Sequence, residues 1–234
     1  MAYFEPKWIT QYRRVGRRQV WRAVEAQHQI ATMSLVDNLD EQHLLEQMLE
    51  RSKPPLPQTI NTDYLLTTPF RYTSAYPSRF RRPNESGIWY GAEDLSTACA
   101  EVGYWRWRFL MDSQGLSDKE VRAELTIFQA RVQGQSIDLT TSPWNELAQV
   151  WSHPTDYRGC HVLAEMARKS GINWIRYPSV RWPQGLCAAA LTPAALDRPH
   201  PERIQTWRCR VNAEQLHFSH AETWLSIDPK TFTE

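Results

Sequence analysis

The residues best suited to chemistry lie in one stretch, from Phe70 to about Trp105. An arginine can bind phosphate oxygens through its planar fork of donors, a tyrosine ring can stack on a flat ligand, and a carboxylate can stabilise developing positive charge. Arg79, Tyr90 and Glu101 are the residues of these types that stand out. Taken alone, they are more typical of a surface arginine cluster, a core tyrosine and a solvated helix carboxylate.

The sequence lacks the signatures of several common enzyme classes. It has no Gly-rich phosphate loop, no H-E-x-x-H, no G-x-S-x-G and no cysteine–histidine spacing typical of zinc. The seven histidines are scattered, and His161 is expected to be a packed, hydrogen-bonded helix residue. We therefore predict no metal site.

Five short motifs carry a resemblance to a known family. In chain order they are Phe70-Arg71-Tyr72, Ser78-Arg79-Phe80-Arg81-Arg82-Pro83, Gly87-Ile88-Trp89-Tyr90-Gly91-Ala92, Leu95-Ser96-Thr97-Ala98-Cys99-Ala100-Glu101-Val102 and Tyr177-Pro178-Ser179-Val180-Arg181. Over roughly residues 65 to 220 the chain resembles the RES domain, the toxin of RES–Xre toxin–antitoxin systems. The spacings of eleven residues from Arg79 to Tyr90 and from Tyr90 to Glu101 match that family, whereas Arg71 lies closer to Arg79 than in many members.

The resemblance implies an α+β fold like that of ADP-ribosyltransferases, with central mixed β-sheets flanked by helices. It implies Glu101, Arg79 and Ser179 as catalytic residues that also bind NAD, with Arg71, Tyr72 and Tyr90 as further NAD-binding residues. Arg71 and Arg79 would anchor the pyrophosphate, and Tyr72 or Tyr90 would stack on nicotinamide. Which part of NAD each of Arg71, Arg79 and Arg181 would contact stays open. Glu101 would stabilise an oxocarbenium-like ribose, and Ser179 would orient an arginine or the ribose.

The implied function is a toxin that cleaves the nicotinamide–ribose bond of NAD by hydrolysis or phosphorolysis and so depletes cellular NAD. NAD is then a substrate, and no metal is required. Two alternatives stay open: a protein ADP-ribosyltransferase that uses the same site, and a catalytically idle module that binds nucleic acid or a partner. The resemblance also implies an Xre-like helix-turn-helix antitoxin, through which alone nucleic acid would be contacted, and a homodimer stays open.

Composition favours a soluble cytoplasmic protein. The 234 residues carry 27 Lys plus Arg against 26 Asp plus Glu, so the net charge of +1 gives no global case for binding nucleic acid or membrane. No apolar run approaches the length of a bilayer span. The four cysteines form no C-x-x-C pair and are expected to be reduced thiols.

Two units are expected: an N-terminal helical extension over residues 1–57 and a RES domain over residues 58–234. The boundary is placed at the proline-rich run from Lys53 to Pro57, which cannot continue a helix. Before it, apolar spacing predicts one helix from Trp21 to Leu35 and a second from about Leu39 to Arg51, with Asn38 as its cap.

Within the second unit, strand-like and helix-like stretches alternate. Two helices are expected. The first is capped by Asp94 and runs through Trp105, and the second runs from Tyr157 to Ser170 and is ended by Gly171. The expected strands are Ile88–Tyr90, Val121–Val132 with a bulge at Phe128, Asn173–Tyr177, Leu186–Leu191, Gln205–Val211 and Gln215–Phe218.

Overall fold

The computed structural model describes residues 3–26, 36–54, 63–197 and 203–232. Their helices are α1 Trp8–Gln11, α2 Leu39–Ser52, α3 Tyr64–Arg71, α4 Leu95–Asp112, α5 Ala148–Trp151 and α6 Arg158–Lys169. Their strands are β1 Arg14–Glu25, β2 Trp89–Ala92, β3 Val121–Asp138, β4 Trp174–Pro178, β5 Leu186–Ala190, β6 Leu196–Asp197, β7 Ile204–Val211, β8 Leu216–His220 and β9 Thr223–Ile227. None of the helices in these ranges has both the length and the apolar composition needed to cross a bilayer.

The long strand β3 organises a mixed sheet. It pairs antiparallel with β1 and β7 and parallel with β4. Because β1 also pairs with β2, β2 with β5, and β5 with β4, five strands close into a ring, while β8 and β9 extend the sheet beyond β7. Mixed strand pairing flanked by helices confirms the expected α+β class.

Three hydrophobic cores fill the spaces around the sheet. The α6 core is built around Leu163 and Ile175, the α4 core around Leu125 and Phe218, and the ring core around Val20, Trp89 and Phe128. Strand β3 is buried on both faces, since the adjacent residues Ile127 and Phe128 lie in different cores. This explains the apolar run that predicted a bulge at Phe128. That prediction is wrong, because β3 pairs with β1 in unbroken register on both sides of Phe128, and with β7 in unbroken register up to Phe128.

The helix predicted from Trp21 is also wrong for the residues that the structure describes. Residues up to Glu25 form the end of strand β1, which pairs with β3 along its whole length. Val20 and Val24 pack in the ring core, whereas Trp21 packs against the other two cores, so the side chains alternate as in a strand. The rest of the predicted helix, residues 27–35, lies outside the described residues.

The other N-terminal helix is confirmed. Helix α2 begins after Asn38, whose side chain accepts from the amide of Glu41 at 2.9 Å. Strand β1 belongs to the sheet, so the prediction of an N-terminal extension made of helices alone is wrong. The sheet contains residues from both sides of the boundary expected at residue 57. The division of the chain into two units at that residue stays a prediction.

Most elements expected between Ile88 and Phe218 are confirmed, but α4 continues to Asp112 and β3 to Asp138, beyond the expected ends at Trp105 and Val132. Asp94 caps α4, and α6 ends just before Gly171, whose φ of +73° suits glycine. Helix α3 and strand β9 were not foreseen. Residues 64–71 form helix α3, which ends at Arg71.

Candidate active site

A cavity of about 450 Å³ opens between helix α4 and strands β1 and β2. Its walls also include the turn that carries Arg79, the aromatic ring of Tyr157, and the segment from Tyr177 to Arg181. Glu101 of α4 is the carboxylate on its wall. The cavity therefore brings together one acidic group and several basic and aromatic side chains from distant parts of the chain.

Helix α4 presents Glu101 to the cavity by its periodicity. Ala98, Glu101, Val102 and Trp105 all line the cavity, at the spacing of one helix face. At its start, the carboxylate of Asp94 accepts from the Thr97 amide at 2.7 Å and from the Thr97 hydroxyl at 2.6 Å. This cap satisfies an amide that would otherwise lack a partner and fixes where the helix begins.

The carboxylate of Glu101 is held by Ser179. The Ser179 hydroxyl donates to Glu101 Oε1 at 2.6 Å and accepts from the amides of Arg181 and Trp182, both at 3.1 Å. Because two amide hydrogens point at Ser179 Oγ, its own proton is directed to the carboxylate. Ser179 was expected to orient an arginine side chain or the ribose; in the structure it orients Glu101.

Cys187 makes a second contact with the same carboxylate oxygen of Glu101. Its sulfur lies 3.7 Å from Glu101 Oε1. Burial, followed by the charge of Glu101, raises the pKa of the Cys187 thiol well above its usual range, so the group stays protonated and can donate. The hydrogen bonds that Glu101 makes within the described residues go to Oε1, which leaves Oε2 for a ligand.

A glycine allows the Ser179 loop to reach α4. A side-chain carbon at Gly185 would lie 2.4 Å from the hydroxyl oxygen of Thr97. Gly185 is also bonded back to the loop, since its carbonyl accepts from the Ser179 amide at 2.8 Å. Any larger residue at Gly185 would push the loop away from the helix and separate Ser179 from Glu101.

Arg79 is held at the cavity wall by backbone carbonyls. Its Nη1 donates to the carbonyls of Trp151 at 2.8 Å and His153 at 2.9 Å. Its guanidinium carbon lies 4.9 Å from the centre of the Tyr157 ring. These contacts fix a buried cation, and Nε and Nη2 of the guanidinium are further donors for an anion.

Arg181 is a second cation held in the same way. It is buried, lies 3.4 Å from the centre of the Tyr104 ring, and donates from Nη2 to the carbonyl of Pro154 at 3.3 Å. Both arginines thus bind carbonyls of residues 151–154 and line one cavity with Glu101.

Tyr90 lines the cavity with its ring and uses its hydroxyl to hold the turn of Arg79. The hydroxyl is 2.8 Å from Ser78 Oγ and accepts from the Phe80 amide at 3.1 Å. Burial raises the pKa of Tyr90, so the hydroxyl stays protonated. His161 lies 2.8 Å from the Ser78 carbonyl, which agrees with its expected role as a packed, hydrogen-bonded helix residue.

Most of the chain matches one known protein family. Residues 56–212 match the RES domain family. The chain belongs to the RES domain family. The resemblance inferred from the motifs is therefore confirmed.

Among solved structures, this RES-domain chain is similar to one described as "Crystal structure of the M.tuberculosis MbcT-MbcA toxin-antitoxin complex". The alignment covers 97% of this chain and 93% of the other, with 12% sequence identity and a TM-score of 0.47. A search of curated proteins finds no match.

Two residues expected to bind NAD lie away from the cavity of this RES domain. Arg71 ends helix α3, where its Nη1 pairs with Glu50 Oε1 at 3.0 Å and its Nε donates to the Pro54 carbonyl. Tyr72 follows it as an exposed cap residue. Neither lines the cavity. The Arg71 guanidinium is engaged by Glu50 and the Pro54 carbonyl, and the NAD-binding role expected for Arg71 and Tyr72 stays a prediction.

The sequence reading missed several cavity residues. Tyr157 lines it from the position just before α6, Tyr177 from β4 and Trp21 from β1. Arg22 also borders the cavity, but its guanidinium donates to the Tyr90 carbonyl at 2.7 Å and lies 5.0 Å from the centre of the Trp89 ring. Burial lowers the pKa of Arg22 to about 10. The alternation of β1 side chains was the signal that could have identified Trp21.

Metal ligands do not gather anywhere in the described ranges: no group of three or more His, Cys, Asp or Glu residues is placed to hold an ion there.

Proposed function

We propose that this RES-domain protein is the toxin of a toxin–antitoxin pair and that it cleaves the nicotinamide–ribose bond of NAD. The observation that carries the proposal is the carboxylate of Glu101, held through Oε1 by Ser179 in a cavity that Arg79 and Arg181 also line. Family membership supports the same class of activity. In this proposal ADP-ribose passes to water or phosphate.

The chemistry requires a negative group beside the reacting ribose. As the glycosidic bond breaks, its electron pair leaves with the nicotinamide nitrogen, and positive charge moves from the pyridinium ring to the ribose. Glu101 Oε2 stabilises that charge more strongly in the transition state than in the ground state, and a 2′-hydroxyl is a fitting hydrogen-bond donor to it. Water or phosphate then forms the new bond to the ribose carbon, and an attacking water releases a proton.

The arginines fit the other end of the ligand. A dinucleotide carries two linked phosphates, and planar guanidinium groups bind such oxygens through paired hydrogen bonds. Arg79 and Arg181 are already fixed by carbonyls and tyrosine rings, so little side-chain entropy is lost on binding. The cavity volume of about 450 Å³ lies in the ordinary range for small-molecule sites.

Nicotinamide release by purified protein tests this function. Wild type should release nicotinamide from NAD, and Glu101→Gln should lose most of that activity because the neutral amide keeps the shape and removes the charge. Glu222→Gln, at an exposed position outside the cavity, is the matched control and should retain full activity. Reactions with and without phosphate, followed by mass spectrometry, identify the acceptor.

Other outcomes would point to the alternatives. A mass shift of ADP-ribose on a target protein, without free product, would indicate a protein ADP-ribosyltransferase that uses the same site. Intact NAD after incubation with antitoxin-free wild type would refute NAD cleavage. Tight, salt-sensitive DNA binding in that case would favour the idle binding module.

The proposal includes an Xre-like helix-turn-helix antitoxin, through which nucleic acid would be contacted, and a cytoplasmic location for the pair; a homodimer stays a prediction. Exposed aromatic side chains beside the cavity support a protein partner there: Trp105 lines the cavity with 57% of its surface exposed, and Phe109 is 65% exposed on α4. Co-expression with an Xre-like helix-turn-helix protein tests it. Co-purification and loss of toxicity are expected, and Trp105→Ser should weaken both.

A further inference from the structure

Strand β1 forms part of the cavity wall although it lies outside the residues that match the family. The match covers residues 56–212, whereas Trp21, Arg22 and Ala23 of β1 line the cavity. Trp21 pairs with Ala92 of β2, another cavity residue, so two adjacent strands make one wall. The site is therefore incomplete without the N-terminal segment of this chain.

The orientation of Trp21 follows from its neighbours. Its flanking residue Val20 packs in the ring core, and Arg22 places its guanidinium over Trp89 of that same core. Trp21 instead packs against the α6 core and the α4 core, which lie on the opposite side of the strand. The indole thus bridges two cores, is partly exposed, and lines the cavity.

Small apolar side chains line the same cavity as this indole. The α4 residues that line it next to Glu101 include Ala98 and Val102, which are small. Helix α4 packs on β1, and so these side chains and the indole belong to facing elements. An aromatic surface opposite small apolar side chains suits a planar heteroaromatic ligand.

We infer that Trp21 is a substrate-binding residue that stacks on a planar heteroaromatic ring of the dinucleotide. The inference rests on the proposed NAD-cleaving function and adds to it a residue from outside the matched region. Nicotinamide and adenine are both flat heteroaromatic rings, and the experiment distinguishes them. Stacking of a base on an aromatic side chain typically changes affinity by about tenfold or more.

Binding of the two reaction products, measured separately by calorimetry, tests the inference without turnover. Trp21→Leu keeps an apolar side chain but removes the aromatic face, and it should weaken binding of either nicotinamide or ADP-ribose by about tenfold. Trp21→Phe should retain much of the affinity. Trp224→Leu is the matched control, since Trp224 lies on β9 with 75% of its surface exposed and does not line the cavity.

The outcomes separate this inference from the proposed function. Weaker nicotinamide binding by Trp21→Leu would place nicotinamide on the indole, and weaker ADP-ribose binding would place adenine there. Unchanged affinity for both products in a folded Trp21→Leu protein, with wild type active on NAD, overturns the role of Trp21 alone. A wild-type protein that binds neither product and leaves NAD intact overturns both.

A second measurement covers the case in which Trp21→Leu fails to fold. The indole N–H resonance of Trp21 in wild-type protein can be assigned by its loss in Trp21→Phe. Titration with nicotinamide and with ADP-ribose should shift this resonance for one product, since a stacked ring changes the local magnetic field. A resonance that neither product moves, although at least one binds, would overturn the inference.

Discussion

Removal of the Ser179 hydroxyl should reduce turnover far more than it reduces substrate binding. In the structure this hydroxyl donates to Glu101 Oε1 at 2.6 Å and is itself fixed by the amides of Arg181 and Trp182. A hydrogen bond to a charged group contributes about 1.5–3 kcal/mol. If that energy serves to hold the carboxylate where charge develops, Ser179→Ala should lower kcat by roughly 10-fold to 150-fold.

The assay is steady-state nicotinamide release, with KM measured in the same experiment. Ser226→Ala is the matched control, because Ser226 Oγ also makes one side-chain hydrogen bond, to His217 Nδ1 at 2.7 Å, but lies on β9 outside the cavity. The control should keep wild-type kcat. Thermal unfolding of each variant separates lost orientation from lost folding.

A double-mutant cycle makes the reasoning refutable. In the Glu101→Gln background the carboxylate that Ser179 orients is gone, so adding Ser179→Ala should cost little further activity. Fully additive losses would show that Ser179 acts independently of Glu101. A folded Ser179→Ala protein with unchanged kcat would contradict the positioning role outright.

Three further predictions concern the elements around the site. Asp94→Ala should lower the free energy of unfolding, measured by urea denaturation, by about 0.5–2 kcal/mol and should reduce nicotinamide release. The cap variant Asn38→Ala on α2 should lower the free energy of unfolding without reducing nicotinamide release. Gly185→Ala should destabilise the fold by roughly 1–3 kcal/mol and reduce kcat, since the added carbon meets the hydroxyl of Thr97, and unchanged values of both would count against the close approach. Burial raises the pKa of Tyr177 well above 10, so the neutral hydroxyl stabilises the fold below pH 10, and this stability is lost as pH rises above that value. Tyr177→Phe should lose less stability between about pH 9 and 11 than wild type does, as measured by urea titration.

Elements with strong local signals were predictable from the sequence. Asp94 offers a cap, and Gly171 adopts the left-handed conformation that ends α6, so both helices were located closely. Strand β1 was not predicted, because the apolar residues near its end also fit the spacing of a helix. Pairing with β3, which lies more than a hundred residues later in the chain, decides in favour of the strand.

The candidate site was predictable in its residue types more than in its contacts. The motifs identified Glu101 and Ser179, but their hydrogen bond joins residues 78 positions apart and depends on the close approach of Gly185 to Thr97. The family resemblance had instead implied that Arg71 binds NAD together with Arg79. A motif read along the chain cannot show that Arg71 faces α2.

The way in which Arg79 is held explains why it suits an anionic ligand. Arg176, by contrast, pairs with the carboxylates of Glu93 at 2.6 Å and Asp138 at 3.1 Å, which already neutralise its charge. Within the described residues Arg79 has no carboxylate at ion-pair distance, and its Nη1 is bound by the neutral carbonyls of Trp151 and His153. Its orientation is therefore fixed while its full positive charge remains for a ligand. A buried cation of this kind favours a phosphate over water more strongly than a paired one would, because the surroundings screen it less.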